Sequence, residues 1–414
     1  MSELIRVVVV DDSPSACRLM ISYLQTAPGL QVVGTALQGT RAVKVVKDVR
    51  PSVVTLDLEM PGMDGLVVLD QIMYECPTPV VVVSGASQHA ASMTLAALDL
   101  GAVDCIAPFP PAASANADAL RLGIVAKVRA ASQIHVIRSL RLRKTDIKTA
   151  PPLVRTTATP PTAGIGAQTS GSHKPACVVV IGASTGGPTA LRHLLSALPA
   201  HFPAAILIVQ HLPESFTAVL AAQLHQHVAL TVREAAEGDC LESGVALVAP
   251  GGSHLLLRPD ACVHLTKEPE VGGHRPSIDV TMQSVAQVYG ARAQGVVLTG
   301  MGADGALGLV AIHAQGGTTF AQDAASCVIN GMPQRAFEAG SAAFRACFTG
   351  HETSLHPCCV GNPEAGAADR ASTAQDHRRR LEGGDGRSLQ HVPSAPRQAR
   401  PSRICASGHH CTRR

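Results

Sequence analysis

The stretch Cys177-Val178-Val179-Val180-Ile181-Gly182-Ala183-Ser184-Thr185-Gly186-Gly187 decides how the larger part of this chain folds. A short apolar run, Val178 to Ile181, stops at a turn built from small residues. The pattern recurs twice. Ile206 to Val209 runs into Gln210-His211-Leu212-Pro213, and Val296 to Leu298 runs into Gly300-Met301-Gly302-Ala303-Asp304-Gly305. Runs this short, bounded by turn residues, predict strands of a parallel sheet buried on both faces. Chemistry in open parallel sheets gathers at the carboxyl ends of the strands. A serine, a histidine and an aspartate are therefore expected at one rim, with the chemistry of a nucleophilic triad.

Strand and helix patterns alternate on both sides of these motifs. Beyond Cys177, strands are predicted at Cys177–Ile181, Ala205–Val209, Leu230–Val232, Gly244–Val248, Gly295–Thr299 and Thr318–Ala321. Nearer the N-terminus they are predicted at Arg6–Val10, Val32–Thr35, Val53–Leu56, Val80–Val83 and Asp104–Ile106, with five helix patterns between and after them. This alternation predicts two doubly wound, parallel-sheet α/β domains, at 1–130 and 176–350. Between them, 131–175 turns basic and then rich in Pro, Thr, Gly and Ser, the composition of a linker. The last segment, 351–414, has few aliphatics and no aromatic residue after Pro357, and it reads as a disordered tail.

Composition excludes several classes. At 414 residues, with 46% hydrophobic and 16% charged residues, the chain has room for two or three globular cores. No apolar run approaches the ~20 residues that span a bilayer. Met1 leads directly into a strand pattern without a signal-peptide pattern, so a cytoplasmic protein is expected. The twelve cysteines are scattered, and Cys177, Cys240, Cys262 and Cys327 sit in apolar contexts. Free buried thiols are expected of them, not disulfides. The net charge of +3 becomes −2 once the segment from Pro357 onward, with ten arginines against five acids, is set aside. With only 2% aromatic residues and no Trp, base-stacking nucleic-acid binding is excluded.

In the first domain Asp11 and Asp12 end one predicted strand, Asp57 ends the third and Ser84 ends the fourth. Neighbouring strand ends would gather three carboxylates, an oxygen-only set that suits Mg²⁺. Capping of the helix that starts near Ser15 would account for one of these acids, not three. Val9-Val10-Asp11-Asp12-Ser13, Leu56-Asp57-Leu58-Glu59-Met60-Pro61-Gly62-Met63-Asp64-Gly65 and Val83-Ser84 resemble the receiver domain of two-component response regulators, a flavodoxin-like fold. The resemblance implies that Asp57 accepts a phosphoryl group and that Asp11, Asp12, Asp57 and the Glu59 carbonyl region hold Mg²⁺. It further implies Ser84 as the switch hydroxyl and a histidine kinase as phosphodonor. One departure stands out. Where the family carries a lysine after the fifth strand, Gly101-Ala102-Val103-Asp104-Cys105-Ile106-Ala107-Pro108 places Pro108, so transmission of phosphorylation is expected to be weakened.

In the second domain, Gly182-x-Ser184-x-Gly186 fits a nucleophile elbow between strand and helix. A plain glycine turn, or one cradling a phosphate, fits it as well, although Walker and dinucleotide spacings are absent. His211 and Asp304 add a base and its orienting carboxylate, in an order unlike that of α/β-hydrolases. These motifs are similar to the catalytic domain of the chemotaxis protein-glutamate methylesterases. So are Ala249-Pro250-Gly251-Gly252-Ser253-His254, His274-Arg275-Pro276-Ser277-Ile278-Asp279 and Ala325-Ser326-Cys327-Val328-Ile329-Asn330-Gly331-Met332-Pro333. The resemblance, over about 177–345, implies a Rossmann-like esterase domain. In it Ser184 is the nucleophile, His211 the general base and then acid, and Asp304 the orienting carboxylate, with Thr185 and the Met301 N–H near the oxyanion. It implies γ-glutamyl methyl esters of chemoreceptor cytoplasmic domains as substrate, deamidation of certain receptor glutamines, and no cofactor for the esterase step. A monomer that is not membrane-inserted is expected. A DNA-binding response regulator is excluded for want of a helix-turn-helix signal. A phospho-regulated interaction protein with weakened receiver switching is the alternative that the missing lysine leaves open. Zinc at Cys358, Cys359, Cys405, His409, His410 and Cys411 is not expected, because their spacing fits no compact site.

Overall fold

The computed structural model describes residues 4–85, 87–106, 117–134, 175–340, 342 and 344–346. All of them lie in one compact unit, Met1–Cys359. The first domain alternates β1 (Ile5–Val10), α1 (Pro14–Gln25), β2 (Leu30–Ala36), α2 (Gly39–Val49), β3 (Val53–Asp57), α3 (Gly65–Glu75), β4 (Val80–Val83), α4 (Gln88–Leu100), β5 (Asp104–Ile106) and α5 (Ala117–Ser132). Its sheet order is β2-β1-β3-β4-β5, parallel throughout. The order reverses between β1 and β3, the switch point where the carboxyl ends of strands open a crevice. Val7 to Val10 and Val80 to Val83 are buried on both faces, as their uninterrupted valines predict.

The second domain follows with β6 (Val178–Ala183), α6 (Gly187–Ser196), β7 (Ala205–Gln210), α7 (Glu214–His227), β8 (Thr231–Glu234), β9 (Val245–Val248), β10 (His254–Leu257) and β11 (Val263–Thr266). Then come α8 (Ile278–Tyr289), a 3₁₀ turn, β12 (Ala293–Val297), α9 (Ala306–Ala314), β13 (Thr318–Gln322), α10 (Gly331–Glu338) and β14 (Phe344–Ala346). Seven parallel strands order as β14-β13-β12-β6-β7-β9-β8. β6 and β7, the two central strands that carry the serine and histidine turns, are buried along their whole length.

The two doubly wound domains are as expected, and the differences are local. The antiparallel hairpin β10–β11 was not expected. Its strands are four residues each and one alternates histidine with apolar residues, too short a signal to separate from a loop. Cys240 and Cys262, expected as free thiols, form a disulfide. An isolated antiparallel bridge sets them opposite each other with Cα atoms 4.0 Å apart, a proximity their separation of 22 residues does not reveal. Cys177 is a buried thiol outside any disulfide, as expected, and Cys327 is a half-buried one. α5 reaches Ser132, inside the stretch read as linker. Residues 135–174 of that linker, the tail at 351–414 and Pro108 lie outside the described residues. No described helix is long and apolar enough to cross a membrane.

The receiver-like domain rests on the second domain through α4, which packs against α6 and α7. Asp99 on α4 pairs with Arg192 on α6 at 2.7 Å. At the β5 edge, Asp104 accepts a hydrogen bond from the Thr185 hydroxyl and pairs with Lys127 of α5 at 3.0 Å.

Candidate active site and phosphoacceptor pocket

Sheet register builds the site. β6 pairs with β7 up to Ala183 and Gln210, so the next residue on each strand, Ser184 and His211, emerges side by side. The His211 N–H donates to the Ala183 carbonyl at 3.1 Å. On the other flank of β6, the Ser184 N–H donates to the Thr299 carbonyl at 3.0 Å, which brings in the turn after β12. A Cβ on Gly300 would lie 2.8 Å from the Ser184 Cβ, so only glycine lets that turn approach the serine. The Gln210 side-chain amide donates to the Ser184 carbonyl at 2.9 Å and holds the serine turn from behind.

His211 donates from Nε2 to Asp304 Oδ2 at 2.8 Å, and both side chains are more than 90% buried. Its other ring nitrogen, Nδ1, is buried without a partner among the described residues, the position of a proton acceptor. Asp304 is oriented from several sides. Oδ1 accepts from the Ser277 hydroxyl (2.9 Å) and the Asp279 N–H (3.0 Å), and Oδ2 also accepts from the Ile278 N–H (2.8 Å). Burial works to raise its pKa, but the His211 ring and these donors outweigh it and hold the carboxyl at about 2. Asp304 is thus an anion at any working pH.

His274 stacks on His211 with ring centroids 3.8 Å apart and planes 8° from parallel. Burial first, and then the neighbouring His211, lower its pKa to about 4, so it stays neutral against the imidazole. His254 donates from Nε2 to the Pro269 carbonyl and accepts the Ser277 N–H on Nδ1, which fixes the start of α8 behind Asp304. Thr185 is buried, and its hydroxyl is taken up by Asp104. Met301 is half-buried on the turn beside Ser184.

Gly305 takes φ +94°, and a Cβ there would meet Val297 and Ile278 side-chain atoms at 2.8 and 3.0 Å. Gly305→Ala is expected to cost about 1–3 kcal/mol and to displace Asp304. Thermal denaturation, together with esterase assay of the surviving folded protein, checks both effects.

In the first domain, ligand atoms of Asp11, Asp12 and Asp57 lie within 4.8 Å of one another. Burial, then Asp57 and Asp12, push Asp11 up to about 6, and burial also raises Asp57 with help from Asp12 and Glu59. Carboxylates crowded this way fit a divalent cation, which removes their repulsion, and the all-oxygen set fits Mg²⁺. Capping of α1 falls to Ser13, whose hydroxyl accepts the Ala16 N–H, which leaves the acids available. The Glu59 N–H donates to Asp57 Oδ1 at 3.1 Å, while its side chain extends toward Gly85. Ser84 is buried and donates to the Ala90 carbonyl at 3.1 Å, tying the start of α4 to the end of β4.

Ser184, His211 and Asp304 therefore share one rim, as do Asp11, Asp12 and Asp57. Sequence reasoning quoted the 274–279 segment without assigning roles to His274, Ser277 or Asp279. Their signal is the short spacing between a histidine, a helix-capping serine and an aspartate. It did not find Gln210 or Asp104, whose partners lie far along the chain.

Fold and pockets define a two-domain α/β protein, a receiver-like domain with an acidic pocket followed by a domain with serine, histidine and aspartate at one rim. Residues 7–112 match the response regulator receiver domain family, and residues 179–348 match the family described as CheB methylesterase. A protein-glutamate methylesterase/protein-glutamine glutaminase of Symbiobacterium thermophilum is 43% identical over 341 residues, 82% of this chain and 92% of that one. One from Caulobacter vibrioides is also 43% identical over 341 residues, 81% of this chain and 93% of that one. The crystal structure of the Thermotoga maritima CheB methylesterase catalytic domain aligns with a TM-score of 0.41 at 39% identity, over 42% of this chain and 93% of that one. The chain belongs to the receiver-linked protein-glutamate methylesterase/protein-glutamine glutaminase family of chemotaxis.

Proposed function

We propose that this chain hydrolyses glutamate γ-methyl esters on chemoreceptor cytoplasmic domains through an acyl-serine, and deamidates specific receptor glutamines by the same route. The observation that carries the reading is the His211 ring, with Nε2 on a buried anionic Asp304, Nδ1 buried without a partner among the described residues, and Ser184 at the end of the neighbouring strand. Ser184 Oγ attacks the ester carbonyl and gives its proton to Nδ1. The imidazolium that forms is stabilised by Asp304. The Met301 N–H, with Thr185 nearby, receives the oxyanion. The carbonyl then re-forms, the bond to methoxide breaks, and His211 returns its proton so that methanol leaves. Water enters with His211 again as base, and attack on the acyl-serine releases glutamate and restores the hydroxyl. A glutamine follows the same course with ammonia as the leaving group.

In the receiver, Asp57 takes the phosphoryl group from a histidine kinase. Asp11, Asp12 and Asp57 would hold Mg²⁺ with the Glu59 carbonyl, and the bound cation supplies charge neutralisation at the phosphoryl oxygens. Ser84 is the hydroxyl that trades the Ala90 carbonyl for a phosphoryl oxygen. Such a trade loosens the start of α4, the helix that packs on the esterase domain. Asp104 on the Thr185 hydroxyl and Asp99 on Arg192 support a receiver that restrains the esterase until then.

The test is methanol release from radiomethylated receptor membranes incubated with the full chain. Volatile counts at several-fold above a buffer control are expected. No release with or without phosphodonor would overturn the esterase reading in favour of the interaction-protein alternative, which the Pro108 substitution motivates.

A further inference from the structure

Behind the carboxylate that orients His211 stands a second one. Asp279, the second residue of α8, is buried and faces the N-terminus of α9. Its Oδ1 accepts the Gly308 N–H at 2.6 Å and the Gly305 N–H at 2.9 Å. The same Gly305 N–H also reaches Asp304 Oδ1 at 3.1 Å, so one donor bridges the two carboxylates. The backbone N–H of Asp279 donates to Asp304 Oδ1 in turn, at 3.0 Å. The approach depends on glycine, because a Cβ on Gly308 would lie 2.6 Å from Met282 Cβ and 3.2 Å from the Asp279 Cα.

We infer that Asp279 is a positioning residue of the esterase: its carboxylate, anchored on the N-terminus of α9, keeps Asp304 aimed at His211 and adds a second negative charge behind the imidazole. The inference rests on the reading of Ser184, His211 and Asp304 given above. A simple helix cap would not need an N–H shared with the neighbouring carboxylate. Capping alone is satisfied by any acceptor, whereas a second charge stabilises the imidazolium that forms when Ser184 loses its proton. Burial first, and then Asp304, raise the Asp279 carboxyl to about 6, while Gly308 and Gly305 favour the anion. The charge is therefore present above about pH 6 and is lost as pH falls through that value. The other titratable groups around the pair are His211, His254 and His274, with Lys127 of the receiver acting on His274.

The test is Asp279→Asn in the full chain, assayed as kcat/KM for methanol release from methylated receptor membranes between pH 5 and 8. Asparagine keeps an acceptor for Gly305 and Gly308 and offers its amide to Asp304, so the fold is preserved while the charge is removed. A plateau lowered roughly 3- to 10-fold is expected, with the acid limb moved down by roughly one pH unit, because imidazolium is less favoured without the second anion. A lowered plateau with an unmoved limb, or an unchanged profile, would show Asp279 to be a structural cap and overturn the inference. Should the variant fail to fold, the parent still answers. In parent protein labelled with ¹³C-aspartate the Asp279 carboxyl should be ionised at pH 8, and a carboxyl still protonated there would equally sink the idea. Ser184→Ala runs alongside. If it retains activity, the Ser-His-Asp reading fails and takes this role with it; if it is inactive and the limb does not move, only the role of Asp279 fails.

Discussion

Ser184→Ala should reduce methanol release at least about 10³-fold, a barrier increase of ~4 kcal/mol, with the fold intact. The serine side chain is half-exposed at the end of a buried strand, and its backbone is held by Thr299 and Gln210, contacts that alanine keeps. His211→Ala should be of similar severity, and the double variant little worse than either, because the groups act as one unit. Asp304→Asn should be milder or comparable. It keeps part of the hydrogen bonding from Ser277, Ile278 and Asp279 but removes the anion that supports the imidazolium. Residual activity of Ser184→Ala within tenfold of the parent would exclude the serine as nucleophile.

Asp57→Asn should abolish phosphorylation outright, read as loss of radiolabel from a small phosphodonor in the presence of Mg²⁺. Chelation of the metal should do the same to the parent, since three carboxylates within 4.8 Å cannot accept a further anion without a cation between them. The consequence for activity should be unusual. A phosphoryl group adds about two negative charges, and a receiver turns them into movement through a cation and a hydroxyl. Ser84 supplies the hydroxyl, but position 108 carries proline where lysine belongs. Lys127 does not compensate, because its ammonium is engaged by Asp104 and the Cys105 carbonyl. Phosphodonor should therefore stimulate the esterase only weakly, and Pro108→Lys should restore part of the response. Stimulation by phosphodonor as large as that from removing residues 1–140 would show that the lysine is dispensable here.

The proposed restraint and the proposed chemistry meet at one residue. Thr185 follows Ser184, and its hydroxyl is held by an aspartate of the receiver's edge strand. A movement at β5 would therefore reach the residue next to Ser184 without passage through the sheet. The neighbouring Asp99–Arg192 pair is partly exposed and contributes little stability of its own, although it fixes the register of α4 against α6.

Much of this was legible in the chain alone. Apolar runs of three or four residues leading into Ser184, His211 and the Gly300–Gly305 turn announce buried parallel strands, because only such strands are apolar on both faces. Three aspartates and a serine at successive strand ends announce the acidic pocket for the same reason: strand ends in a doubly wound sheet are neighbours whatever lies between them. The Cys240–Cys262 bond, the β10–β11 hairpin, the bridge between Asp279 and Asp304, and the hold of Asp104 on Thr185 were not legible. Each joins residues whose separation along the chain carries no period, from 12 or fewer in the hairpin, through 22 for the cysteines, to 81 for the interdomain contact. Local pattern determines which strands form and what they carry at their ends. Which side chains then touch is decided by how layers and domains close on one another, and only the tertiary structure contains that.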